Sequence, residues 1–213
     1  MDHVNHADPA AGADGADRAR TADRVGADLA GRAAGAGSAG RPGGAVRDAM
    51  AGTLTVRPAR ADELAAVGEL TAAAYLADGG VPEFYVEELR DASARAEAAE
   101  VLVATDHTGA LLGTVTVCLP GTPLAEISRP GEAEFRMLAT DPAAQGRGVG
   151  RSLVRAVLDR AAELGARRVV LCSTTANHRA HRIYRDLGFR RLPERDWSPT
   201  SDIRLLAFAR DLA

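Results

Sequence analysis

Between residues 141 and 150 the chain reads Asp-Pro-Ala-Ala-Gln-Gly-Arg-Gly-Val-Gly, with the strand-like run EAEFRMLAT before it and the helix-like run SLVRAVLDRAAELG after it. No other stretch constrains the fold as much. Gly146, Gly148 and Gly150 remove side chains and admit positive φ, so several backbone N–H groups can converge on one anion. The dipole of the following helix adds partial positive charge at the same point. A pyrophosphate is the natural guest of such a loop; a purely structural glycine-rich turn is the alternative. Two nucleotide motifs do not fit. The dinucleotide fingerprint needs G-x-G-x-x-G with an acidic residue after the next strand, and this loop is G-x-G-x-G without one. The P-loop needs a lysine, and all 26 basic residues here are arginine.

The rest of the chain falls into two parts. Residues 1–52 are Ala, Gly, Asp and Arg with isolated Val4, Val25, Leu29 and Val46, too little apolar surface to offset ordering entropy. A disordered tail is expected there, with Met50 as a possible alternative start and with His3 and His6 too loosely held to form a metal site. From Thr53 to Ala213 the pattern is that of one folded domain. LTVRPA alternates as a strand; Asp62 reads as the N-cap of a helix through Leu64, Val67, Leu70 and Ala74. A break at residues 79–82 precedes a second helix, expected to run through Tyr85 and Leu89 to Ala99. VLVAT and LLGTVTVCL flank turn residues His107–Gly109 as a hairpin. RRVVLCST is a strand, NHRAHRIYRDLG a helix, and FRRLPE and IRLLAFARDL two last strands in an antiparallel pair. Gly165 and Gly188 stop their helices. This mixed order predicts an α/β fold, a central sheet of six to seven strands with helices on both faces.

Composition narrows the function classes. With 46% hydrophobic but only 4% aromatic residues, the core must be mainly Ala, Val and Leu. A formal net charge of -3 argues against a phosphate-coating nucleic-acid binder. Cys118 and Cys172 are too few and too far apart for a disulfide scaffold or a zinc site, and each sits in an apolar run as a buried, reduced thiol. The start MDHVNHADPA lacks a basic-then-apolar signal, and no apolar run approaches the ~20 residues of a bilayer span. A cytoplasmic protein with no membrane partner is expected.

Gln145-Gly146-Arg147-Gly148-Val149-Gly150 resembles the Q/R-x-x-G-x-G/A signature of the GCN5-related N-acetyltransferases (GNAT). Leu138-Ala139-Thr140 followed by Asp141-Pro142 is similar to that family's preceding strand, and Asn177, Ala180, Tyr184 and Gly188-Phe189 to its N-x-x-A-x-x-x-Y helix with a closing Gly-Phe. The likeness runs in element order from about Thr53 to the C-terminus and is sharpest over residues 134–189. It implies a splayed central sheet and acetyl-CoA as co-substrate, with no metal. The acceptor would be a small-molecule amine or a protein N-terminus, and the protein a monomer or homodimer.

The same resemblance implies a division of labour. Leu138, Ala139 and Thr140 would offer backbone groups to the pantetheine amides and to the developing oxyanion. Gln145, Gly146, Arg147, Gly148, Val149, Gly150, Arg151 and Ser152 would cradle the pyrophosphate, Arg147 or Arg151 pairing with its oxygens unless they are merely exposed helix-start residues. Tyr184 lies seven residues after Asn177, two helical turns on, so both share one face. Tyr184 would donate its proton to the CoA thiolate, or else is a core aromatic. Asn177 would bond the pantetheine arm, cap its helix, or both. Glu134 precedes the Gly148-x-Gly150 pair by the interval of the family's base glutamate and is the candidate base. Arg136, two residues on and on the same strand face, would instead make it an ion-pair member or an amine anchor. Glu132 is the substitute, and a water relay needs neither.

Other residues carry less. His178 and His181 make half a metal site at most and read as solvent- or phosphate-facing. Trp197, in the loop 196–201, and Phe84 and Tyr85 could wall an acceptor pocket or simply pack. Glu83, Glu87, Glu88 and Asp91 would line an acidic groove for a protein N-terminus, or form a solvated helix face. Cys172 has no adjacent base and is rejected as a nucleophile. The rival function is a non-catalytic acyl-CoA sensor, which would keep the glycine cradle without needing Tyr184 or Glu134.

Overall fold

The computed structural model describes residues 54–79 and 81–212. The tail expected over residues 1–52, with His3, His6 and Met50, lies outside them.

Alternating runs of Val, Leu, Thr and Ala form eight strands among the described residues: β1 (Thr55–Pro58), β2 (Glu100–Thr105), β3 (Leu111–Cys118), β4 (Glu132–Thr140), β5 (Arg168–Thr174), β6 (Arg190–Arg191), β7 (Trp197–Thr200) and β8 (Ile203–Asp211). They lie in one sheet in the order β1-β2-β3-β4-β5-β8-β6, with β7 also pairing β8. Every pair is antiparallel except β4 and β5. Parallel neighbours need a crossover, and α4 (Val149–Glu163) supplies it. Its buried stripe of Val149, Leu153, Val154, Val157, Leu158 and Ala161 packs, with α5 (His178–Asp186), on one face of the sheet. The other face is covered by α1 (Leu64–Ala77), α2 (Glu83–Arg90) and α3 (Ala92–Ala98) through Val67, Ala72, Val86, Leu89 and Ala92. Each fully buried Val or Leu contributes about 1.5–3 kcal/mol. The core is mainly aliphatic, as the composition predicts, and its largest aromatic cluster is Phe135, Tyr184, Phe189 and Phe208, from β4, α5, the segment after it and β8.

Four local expectations are corrected. Asp62 does not cap α1. The helix is entered through a 3-10 turn, Ala61–Glu63, and it is Glu63 that turns back to accept the Arg60 N–H at 2.9 Å and to hold Arg57 at 2.6 Å. The expected second helix is two, because Asp91 leaves helical geometry at ψ 67 and its carboxylate accepts the Ala94 N–H at 2.9 Å, starting α3 afresh. The segment FRRLPE pairs only at Arg190 and Arg191. The loop expected around Trp197 is strand β7, which brings the sheet to eight strands: β8 is nine residues long, so its edge takes β6 at Phe208 and Ala209 and β7 nearer its start. The β2–β3 turn forms where expected, tied by Asp106 to the Thr108 and Ala110 N–H groups, with Gly109 at φ 86. At Gly68 a Cβ would lie 2.0 Å from the Arg90 carbonyl, so only glycine lets α1 pass the end of α2.

Candidate active site

The single parallel pair is also where the sheet opens. β4 meets β5 at only three positions, the last being Glu134 opposite Val170. Beyond it the edge of β4 over residues 135–140 has no β5 partner. On its other edge β4 bulges against β3: Thr114 faces Ala139 and Thr116 faces Arg136, leaving Met137 and Leu138 opposite Val115 alone. Met137 carries φ 52, the one positive φ outside glycine among the described residues. A bulge of this kind bends the strand and turns its backbone groups. Leu138 and Thr140 therefore turn their N–H and C=O groups to the edge that has no β5 partner, whereas Ala139 turns its own toward β3.

That edge runs into the glycine loop. Gly146 and Gly148 both sit at φ 82, with nothing within 4 Å of where a Cβ would stand, and Gly148 is the left-handed N-cap of α4. A Cβ on Gly150 would lie 3.3 Å from Ile183 Cδ1 and 3.6 Å from Thr140 Oγ1, which keeps α4 close to both α5 and the end of β4. The first-turn N–H groups of Val149, Gly150 and Arg151 have no helical acceptor and point out of the helix end. The Ser152 N–H is already bonded to the Gly148 carbonyl at 3.0 Å, so Ser152 has only its hydroxyl to offer. Arg147 is exposed, whereas Arg151 pairs with Asp186 of α5 at 2.5 Å. Gln145 accepts a hydrogen bond from Arg179. Arg179 was not singled out by the sequence; its position two residues after Asn177, at the start of a helix facing the loop, is the signal that could have found it.

Asn177 is the N-cap of α5, its Oδ1 accepting the Ala180 N–H at 3.1 Å. Tyr184 is buried with its ring among Phe135, Phe189 and Phe208 at 5.7–6.0 Å. Burial pushes its phenol well above the usual tyrosine range, with no charged neighbour contributing, so it stays protonated at neutral pH. His181 is half-buried, its ring tilted against Phe208 at 5.0 Å between centroids, and burial lowers its pKa.

The opposite face of the same opening is polar. Strand parity places Glu134, Val170 and Cys172 on that face, away from Phe135 and Leu171. Glu134 is fully buried and pairs with no arginine. One of its oxygens accepts three backbone N–H groups, from Glu126, Ile127 and Ser128, each at 3.0 Å, while Oε1 has no partner. Arg136 is paired with Glu126 instead, at 2.5 Å, and donates to the Leu124 carbonyl at 2.9 Å. Glu132, the expected substitute, is bound by Arg195 at 2.5 Å and by the Arg129 N–H at 2.9 Å. Burial raises its pKa, but those bonds and the Arg195 and Arg168 charges outweigh it and hold the carboxyl low. Burial pushes Cys118 and Cys172 up to about 12, so both thiols are inert. Tyr85 is half-buried beside Arg136, with its ring edge-on to Tyr75 at 6.3 Å, whereas Phe84 is exposed. Trp197 is half-buried and its indole N–H is unpartnered. Glu87 pairs with Arg90 and Asp91 caps α3, so of the expected acidic lining Glu88 is the carboxylate whose charge is felt at Arg136.

A parallel strand pair that parts above a glycine-rich loop leaves an open strand edge beside a helix N-terminus. The Acetyltransferase (GNAT) family model matches residues 64–189, more than half of the chain, and the chain belongs to that family. It is similar to two mycothiol acetyltransferases: that of Mycobacteroides abscessus, 41% identical over 63 residues, and that of Beutenbergia cavernae, 38% identical over 88. These matches cover 30% and 41% of this chain but 21% and 27% of the relatives, so the chain spans about a quarter of their length. Its fold resembles the phosphinothricin acetyltransferase of Sinorhizobium meliloti solved in complex with acetyl-CoA, at a TM-score of 0.56 and 22% identity, over 76% of this chain and 89% of that one. No helix among the described residues is long and apolar enough to cross a membrane.

Proposed function

We propose that the chain moves an acetyl group from acetyl-CoA to a primary amine by direct attack on the thioester. The observation that carries this is continuity: the unpaired edge of β4 ends at the mouth of the glycine loop, with Thr140 beside Gly150. One extended ligand can therefore reach from strand backbone to helix N-terminus. The N–H groups of Gly148, Val149 and Gly150 would hold the pyrophosphate, with Arg147 and Arg179 supplying charge and Arg151 available if it leaves Asp186. The edge at Leu138 and Thr140 would bond the pantetheine amides, and the Asn177 side chain can add a bond while capping α5. A β4 N–H turned by the bulge would stabilise the oxyanion that develops on the thioester oxygen.

Tyr184 is the proposed acid. Its phenol keeps its proton until a strong base, the departing thiolate, is beside it. The acceptor would be a small amine or a protein N-terminus, and it must enter from the face away from Tyr184, where the polar groups lie.

Titration of acetyl-CoA into the wild type and into Gly148→Glu by calorimetry tests this. The substitution sets a side chain and a negative charge at φ 82 in the cradle. Wild-type binding abolished in the variant supports the cradle; no binding by a folded wild type overturns it. Binding without transfer to any amine would identify an acyl-CoA sensor.

A further inference from the structure

The carboxylate best placed to meet an incoming amine is not on β4. Glu126 belongs to the loop between β3 and β4, and that loop is pinned at one point: the N–H groups of Glu126, Ile127 and Ser128 all converge on Glu134 Oε2. The pin sets the Glu126 carboxylate over β4, 2.5 Å from Arg136 Nη2, one side-chain position past the last β4–β5 pair. Its side chain is 23% exposed, against none for Glu134. Glu126 thus stands at the opening on the acceptor side, still reachable from solvent.

We infer that Glu126 is the catalytic carboxylate that receives the acceptor's ammonium group and takes its proton, and that the acceptor carries no carboxylate beside the reacting nitrogen. This rests on the acetyl-transfer reading above. Glu134 is then a positioning residue, acting through the loop it holds.

Two further features agree. The groups around Glu126 are Arg136 and Glu134 on β4, Tyr85 and Glu88 on α2, Cys118 on β3 and Cys172 on β5. Burial, with the Glu134 and Glu88 charges, raises its carboxyl against the pull of Arg136, to about 7, a base able to exchange protons near neutral pH. The cations here are already engaged, Arg136 by Glu126 and the Leu124 carbonyl, Arg195 by Glu132 and the Ile127 carbonyl. An acceptor carboxylate would meet Glu88, Glu126 and Glu134 where both Arg136 and Arg195 are already paired.

The protons balance. The ammonium gives one to Glu126, and the freed nitrogen pair forms the C–N bond to the acetyl carbon. The C–S bond breaks with its pair on sulfur, which takes the Tyr184 proton. The second nitrogen proton restores Tyr184 through solvent, and Glu126 releases its own to bulk water.

The test compares tyramine with tyrosine as acceptors for the full chain, and wild type with Glu126→Gln and Glu126→Asp, with acetyl-CoA binding as the control. Expected are acetylation of tyramine, with kcat/KM about tenfold or more above that for tyrosine, and a profile rising through about pH 7. Glu126→Gln should lose about 100-fold in kcat/KM and the titration near neutrality, with acetyl-CoA Kd unchanged, and Glu126→Asp should restore part of both. Retention of rate and titration by Glu126→Gln overturns the inference, as do preference for tyrosine and failure of an acetyl-CoA-binding wild type to acetylate tyramine. A wild type that does not bind acetyl-CoA overturns the earlier reading itself, a distinct result.

Discussion

At the residue scale, Tyr184 is held by packing, and the acid role proposed for it depends on a single oxygen. Its ring is fixed by three aromatic neighbours, and its phenol is kept protonated by burial. Removing only the oxygen separates the two. Tyr184→Phe should keep the fold and the acetyl-CoA Kd while kcat falls by about 100-fold, checked by calorimetry and steady-state rates at saturating acetyl-CoA. An unchanged kcat would make Tyr184 a core aromatic alone. The spacing from Asn177 to Tyr184 was legible because a helix has a fixed period. The partners of Glu134 were not. Period-two alternation put Glu134 and Arg136 on one face correctly, but which partner each takes depends on a loop that returns from eight residues upstream.

At the element scale, α1 is entered through Glu63. Its bonds with Arg57 lower the carboxyl most, helped by the Arg60 N–H and by both arginine charges against the cost of burial, to about 2 from an ordinary 4.5. A carboxyl that titrates lower folded than unfolded stabilises fully above its unfolded value and loses that contribution as pH falls through its folded one. Glu63→Gln should therefore cost about 2 kcal/mol near neutral pH. The gap to wild type should close as pH falls from about 4.5 to about 2. Urea unfolding at several pH values measures it, and a gap that persists unchanged into acid would deny the ion pair its role. Sequence reasoning chose Asp62 because capping preferences are local, whereas Glu63 won because Arg57, on the neighbouring strand, folds back against it.

At the scale of the whole molecule, the opening between β4 and β5 needs a closed end. Glu132 and Arg195, with side chains 9% and 8% exposed, join the start of β4 to the connection between β6 and β7, and Arg168 of β5 lies 3.7 Å from the same carboxylate. Arg195→Met would leave a buried carboxylate short of its main partner and should lower stability by about 3 kcal/mol, read by urea unfolding at neutral pH. The deficit should shrink as acid protonates Glu132, whose folded carboxyl titrates below its ordinary value. No loss in Arg195→Met would show that the sheet is closed by its backbone pairing alone.

The amino-acid order alone indicated most of the element order, the glycine-rich loop at a helix start, the Asn177–Tyr184 spacing and the family, because each is written within a few helical turns or strand repeats. It also indicated an aliphatic core and placed the β2–β3 turn. Tertiary structure alone decided how far β4 pairs with β5, that β8 would accept an eighth strand, and that Arg179 would meet Gln145. It also decided the partners of two carboxylates: Glu134 binds loop backbone and Glu126 pairs with Arg136. Those outcomes depend on contacts between residues distant in the chain, whose energies no local pattern encodes.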